Sequence, residues 1–210
     1  MKRLRLGFVL ALIILLAAGS LWVWWELGAG SRPLTVAKNQ SQIAAALDGA
    51  GWVSPHTPGL KLYMVSYRDC PSCNAFVKAE FAKLSAAGVD TRVIVIARPD
   101  LNGQSQSTAP ERAAVAELWV NRSWPLYERW TSVPSAAWTA PGVPAADGDA
   151  ARTAVIESGR SLPSELAPLL KANGLTFGYG TVIWWDKKGV MRGCACNPHS
   201  FDAVARELGA

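Results

Sequence analysis

The chain carries four cysteines, and they fall into two close pairs. Cys70 and Cys73 bracket Pro71 and Ser72 in "DCPSC", while Cys194 and Cys196 flank Ala195 in "GCACNPH". Paired thiols at such spacing can exchange disulfides, close a structural bridge, or supply part of a metal site. Exchange needs a thiolate that attacks and a second thiol close enough to resolve the mixed disulfide. Pro71 fits the first position of a helix, where its missing N–H costs nothing. Cys70 then falls at the N-cap, where unpaired N–H groups and the helix dipole favour a thiolate. The neighbouring charge of Asp69 opposes it.

The second pair has three readings. Cys194 and Cys196 are buried structural residues, or a relay that exchanges with Cys70 and Cys73, or part of a metal site. A relay gains from the one-residue gap, because a small strained disulfide ring is labile and oxidising. The metal reading takes Cys194, Cys196 and His199 as C-x-C-x2-H, with Cys70 and Cys73 opposite, a set that suits zinc or copper(I). His199 otherwise reads as a surface residue at a helix start, and His56 as a loop residue. On the redox reading no cofactor is expected.

The elements around these residues follow from periodicity. Residues 60–67 form a β-rich, mostly apolar run that ends just before Cys70. Phe76, Val77, Phe81 and Leu84 then recur at helical spacing up to Gly88. Residues 91–98 are a second apolar strand, so 60–98 make a parallel β-α-β unit. Helical stretches are expected at 110–122, 124–131, 149–158 and 163–172, with a Pro/Gly-rich break between the second and third. Strands return at 180–185 and 190–195 around the "DKKG" turn. A last amphipathic helix covers 198–209, with Ser200 as its N-cap. Strand polarity brings the ends of the first and last strands, and so both cysteine pairs, to one edge of the sheet. Trp119, Trp124, Trp130 and Trp138 read as packing for the insertion, or as an apolar groove for unfolded chains.

The sequence of 210 residues has a net charge of +5, partly set by Lys2, Arg3 and Arg5. No basic stripe with interleaved aromatics points to nucleic acid. An uncharged run of 20 residues, Leu6 to Trp25, follows those charges. It matches the roughly 20 residues a helix needs to span a bilayer, and Trp22, Trp24 and Trp25 suit the interface. The reading is a single-pass anchor in a bacterial inner membrane. A cleaved signal peptide, cut near Ala17-Ala18-Gly19, is the alternative. Either way the rest is exported, into a compartment where disulfides persist. The expected organisation is an anchor or signal at 1–26, a linker with a short helix at 27–59, and an α/β domain at 60–210 with a helical insertion at 98–174.

The segment "LYMVSYRDCPSCNAFVKAEFAKL" resembles the active-site region of the periplasmic DsbC/DsbG thiol–disulfide isomerases, within the thioredoxin superfamily. "TRVIVIA", "ERAAVAELWVNRSWPLYERW" and "LLKANGLTFGYGTVIWWDKKGVMRGC" are similar to that family's next strand, helical insertion and closing hairpin. The resemblance implies a thioredoxin-like fold, with Cys70 as nucleophile and Cys73 as resolving cysteine. It implies exchange with thiols and disulfides of exported proteins, and an inner-membrane redox partner. Two features depart from the family. Residues 26–59 are too few for its N-terminal dimerisation domain. Its active-site proline is matched here by Gly180, which with Thr181 marks the expected substrate groove.

Overall fold

The computed structural model describes residues 13–17, 19–20 and 32–210. Most of the expected membrane segment lies outside the described residues. Among those described, no helix is long and apolar enough to cross a membrane.

Six strands form one sheet: β1 (Leu34–Thr35), β2 (Trp52–Val53), β3 (Lys61–Ser66), β4 (Asp90–Val95), β5 (Val182–Trp185) and β6 (Met191–Cys194). Their order is β1-β6-β5-β3-β4-β2. β3 is the inner strand, parallel to β4 and antiparallel to β5. β5 and β6 make an antiparallel hairpin, so β6 again runs the same way as β3. The hairpin turns at Asp186, whose carboxylate accepts the N–H groups of Lys188 and Val190. Gly189 supplies the left-handed backbone, at φ 75°, that closes the turn.

The helices are α1 (Gln40–Gly49), α2 (Pro71–Ala86), α3 (Ala109–Asn121), α4 (Trp124–Thr131), α5 (Ala150–Lys171) and α6 (Phe201–Leu208). Alternation along the strands divides the core in two. Leu62 and Met64 of β3 join Phe76 and Leu84 of α2, Val182 and Trp184 of β5, and Phe201 and Val204 of α6. Tyr63 and Val65 face the other way, with Ile43 and Leu47 of α1 and Leu162, Leu166 and Leu170 of α5. Burial on both faces explains why β3 and β4 read as continuous apolar runs.

Three expectations need correction. The stretch 27–59 is not a linker from Leu34 onward. β1 pairs with β6, β2 pairs with β4, and α1 lies between them. Val36, Ile43, Leu47 and Val53 are fully buried, and each such side chain is worth about 1.5–3 kcal/mol. The two helices expected at 149–158 and 163–172 are one, with Pro163 and Pro168 inside it. A proline in a helix interior costs about 3 kcal/mol. Leu162, Leu166 and Leu170, one turn apart and buried, offset that by keeping one face on the core, at about 1.5–3 kcal/mol each. Ser200 precedes α6 but makes no side-chain cap. Its hydroxyl turns back to Asn197 and ties the loop that follows Cys196.

Candidate active site

β3 ends at Ser66, and four residues later Cys70 is the N-cap of α2. Its sulfur accepts the backbone N–H of Cys73 at 3.2 Å. Cys70 and Cys73 form a disulfide with Cα atoms 5.3 Å apart. Pro71 opens the helix as the sequence predicts. The Ser72 hydroxyl lies 3.4 Å from the Cys70 sulfur and donates to the Tyr179 carbonyl at 2.9 Å. The Cys73 sulfur lies 3.9 Å from the Val65 carbonyl. Cys70 and Cys73 are each 1% exposed. A large disulfide therefore reaches Cys70 only after a local opening of this loop.

Gly180 faces the pair. Its N–H donates to Val65 at 3.0 Å, and its φ is +88°. A Cβ there would stand 2.8 Å from Ser72 Oγ and 3.4 Å from the Cys73 nitrogen. The backbone at Gly180 thus closes directly on the CPSC turn. Thr181, the other residue of the expected groove, follows directly. It is 2% exposed, and its hydroxyl accepts the Gly178 N–H at 3.0 Å, closing the turn on itself.

Cys194 and Cys196 form a second disulfide, with Cα atoms 5.0 Å apart. Cys194 pairs in register with Val182, and Val182 with Met64. Two strand spacings, about 10 Å, therefore separate Cys194 from the level of Met64 on β3. Partners in register point to one face, so Cys194 lies on the α2 face. All four cysteines belong to the same apolar cluster, and the turn 198–200 packs against α2. The two pairs share the sheet edge that strand polarity predicts. Among the described residues no three Cys, His, Asp or Glu side chains gather for a metal. The His199 side chain lies outside the described residues.

Sequence reasoning weighed Asp69 but passed over Arg68, Arg98 and Glu111 beside the pair. Arg68 and Arg98 follow the ends of the parallel neighbours β3 and β4, on the same edge as Cys70. Both line a cavity of about 470 Å³ together with Asp69, Glu111 and Trp138. Arg68 is 7% exposed and lies over the rings of Trp130 and Trp138, 4.9 and 5.9 Å from their centroids. Burial lowers its pKa. Burial also pushes the Glu111 carboxyl above the usual carboxylate range. One Glu111 oxygen accepts the Thr108 N–H in a capping box that starts α3. The available signal was the charged "YRDC" placed at the end of a buried strand. The insertion's tryptophans are mostly packing: Trp130 is fully buried, and Trp119 donates to the Val95 carbonyl at 2.7 Å.

No family model matches the chain, and no curated protein does. Among solved structures, BcfH of Salmonella enterica Typhimurium is 15% identical, with a TM-score of 0.47 over 97% of this chain and 93% of that one. A linker-deletion variant of Proteus mirabilis ScsC is 11% identical, with a TM-score of 0.46 over 80% of this chain and 78% of that one. A periplasmic thioredoxin-like protein of Salmonella enterica serovar Typhimurium is 17% identical, with a TM-score of 0.45 over 81% of this chain and 98% of that one. Connectivity decides the fold: inner strands ordered β6-β5-β3-β4, with a CxxC pair opening the helix after the inner parallel strand. The fold is thioredoxin-like. Within that thioredoxin-like frame, α3, α4 and α5 are an insertion between β4 and β5, and β1 and β2 are added at the two edges.

Proposed function

We propose that the protein is an exported thiol–disulfide oxidoreductase that works at Cys70 and Cys73 on thiols and disulfides of other exported proteins. The observation that carries this reading is the place of Cys70. It caps α2, with its sulfur accepting the Cys73 N–H and 3.4 Å from the Ser72 hydroxyl. Once the pair is reduced, the Cys73 N–H and the positive end of the helix favour a thiolate at Cys70. The thiolate attacks one sulfur of a client disulfide, a mixed disulfide forms, and the other client sulfur leaves as a thiolate. Cys73 then attacks the Cys70 sulfur. The Cys70–Cys73 bond closes and the second client thiolate departs, so the client is reduced and the protein oxidised. The reverse sequence passes the disulfide to a reduced client, and release with re-formation elsewhere is isomerisation.

The N-terminal segment supports a periplasmic site of action and an anchor in the inner membrane. A dithiol–disulfide partner in that membrane resets the pair. The shared apolar cluster and sheet edge of the two pairs favour a relay role for Cys194 and Cys196, in which one pair is oxidised as the other is reduced.

The test is a Cys70→Ser variant assayed with a model protein disulfide in both directions. Loss of exchange to the level of free buffer thiol is expected. Equal rates in variant and wild type end the proposal.

A further inference from the structure

The arginines beside the CPSC turn are placed as receptors. Arg68 donates one Nη to the Val133 carbonyl at 2.6 Å, while its other Nη is buried and has no partner. The Nε of Arg98 is likewise buried and without a partner. Among the described residues neither guanidinium is in an ion pair. A buried charged donor without a partner is costly, and the two side chains that carry these donors line one cavity.

That cavity holds about 470 Å³, within the roughly 300–1,000 Å³ usual for ligand sites. It opens at the carboxyl ends of the parallel strands β3 and β4, where open α/β sheets take their ligands. Both guanidinium groups are held by aromatic rings: Arg68 by Trp130 and Trp138, and Arg98 by Tyr67 at 5.0 Å. Such stacking fixes the planar fork before anything arrives. Fixed forks of this kind match the two oxygens of a carboxylate. Glu111 and Asp69 line the same cavity and set a limit on how much negative charge it accepts.

We propose that this cavity binds a carboxylate of the client polypeptide, either an acidic side chain or a C-terminal carboxylate, next to the disulfide to be exchanged. The client part rests on the oxidoreductase reading, but the binding does not. It is therefore tested without redox chemistry, on the oxidised protein with fluorescent, cysteine-free hexapeptides. The first carries one internal Glu and an amidated C-terminus. The second has Gln in its place and a free C-terminus, and the third has Gln and an amidated C-terminus.

At least one carboxylate peptide is expected to bind five-fold or more tighter than the third, by fluorescence anisotropy. Whichever of the first two binds identifies the source. The preference should vanish in Arg98→Gln, survive in part in Arg98→Lys, and grow several-fold in Glu111→Gln, with folding of each variant checked by circular dichroism. Equal binding of all three peptides, or a preference unchanged in Arg98→Gln, overturns the proposal. If the preference holds while Cys70→Ser keeps full exchange activity, the site stands and the redox reading falls.

Discussion

The Ser72 hydroxyl is bonded to the Tyr179 carbonyl, so the CPSC turn is pinned to the loop that carries Gly180. Ser72 itself is exposed, and the bond is a latch over sulfurs that are otherwise covered. Ser72→Ala removes it, with a loss of about 0.5–1.5 kcal/mol. The reduced variant should alkylate at Cys70 several-fold faster than wild type, because opening limits access. Ser72→Thr keeps the hydroxyl and should react at the wild-type rate. Stopped alkylation with mass-spectrometric counting checks both.

Gly180 tolerates neither a methyl group nor a proline. Alanine at φ +88° costs about 1–2 kcal/mol from the left-handed backbone. Its Cβ also displaces Ser72 Oγ, at the cost of about 1 kcal/mol more for the latch. A domain of this size loses roughly 2–4 °C of Tm per kcal/mol, so Gly180→Ala should melt about 5–10 °C lower. Gly180→Pro should be worse, since it also deletes the N–H that donates to Val65. Placing at 180 the proline that the resemblance would imply therefore does not suit the backbone found here. A Gly180→Pro variant as stable as wild type would contradict this.

Two glycines meet the same tryptophan with opposite consequences. A Cβ on Gly51 would come within 2.4 Å of the Trp119 Cα, which is backbone and cannot step aside. On Gly159 it would meet only ring atoms, Cζ2 at 3.1 Å, Cε2 at 3.4 Å and Cη2 at 3.6 Å. Gly51→Ala should cost about 3 kcal/mol or more by overpacking. Gly159→Ala gains about 0.5–1 kcal/mol of helix propensity against a mild squeeze and should be near neutral. Urea unfolding of the two variants decides it.

The buried Glu111 makes stability fall as pH rises. Its pKa is raised in the folded state, so the folded protein binds more protons than the unfolded one between the ordinary carboxylate value and the raised one. The contribution is fully present below the ordinary value and is lost as pH climbs through the folded one. Gln at position 111 can still complete the capping box without a charge to bury. Glu111→Gln should therefore exceed wild type in Tm at pH 7, with the gap closing by about pH 4. A constant gap across that range would exclude Glu111 as its source.

The proposed relay has a direct trap. In a Cys73→Ser variant, the Cys70 thiolate lacks its resolving partner. It should attack the Cys194–Cys196 disulfide, leaving one of those sulfurs as a thiolate. A Cys70–Cys194 or Cys70–Cys196 peptide should appear after acid quench and digestion. Two strand spacings, about 10 Å, separate Cys194 from β3, more than the ~7 Å Cα limit of a disulfide, so the trap should need motion of the loop that carries Cys70 or Cys196. Its absence under oxidising and reducing conditions alike would return Cys194 and Cys196 to a structural role.

Much of the frame was legible in the sequence because it rests on local signals. Pro71 after Cys70, the apolar run at 60–67 and the "DKKG" turn each demand one local conformation, and the structure has them at β3, α2 and the β5–β6 hairpin. What escaped depended on distant partners. Leu34 and Thr35 are too few to read as a strand, and they become one only against Gly193 and Arg192. The single helix α5 survives two prolines because of leucines that face α1 and the sheet. The depth of Cys70, at 1% exposed, and the Arg68–Arg98 cavity arise where strand ends meet the insertion, a juxtaposition with no sequence period.

Strands β1 and β2 hold the two outer places in the sheet, beside β6 and β4. Each is two residues long and pairs with two residues of its neighbour, so together they fill part of the outer edges at which another strand could add. The segment ahead of β3 thus acts as a pair of bookends. It shortens the open edge at which a further strand could add, and leaves clear the strand ends, where Cys70 lies.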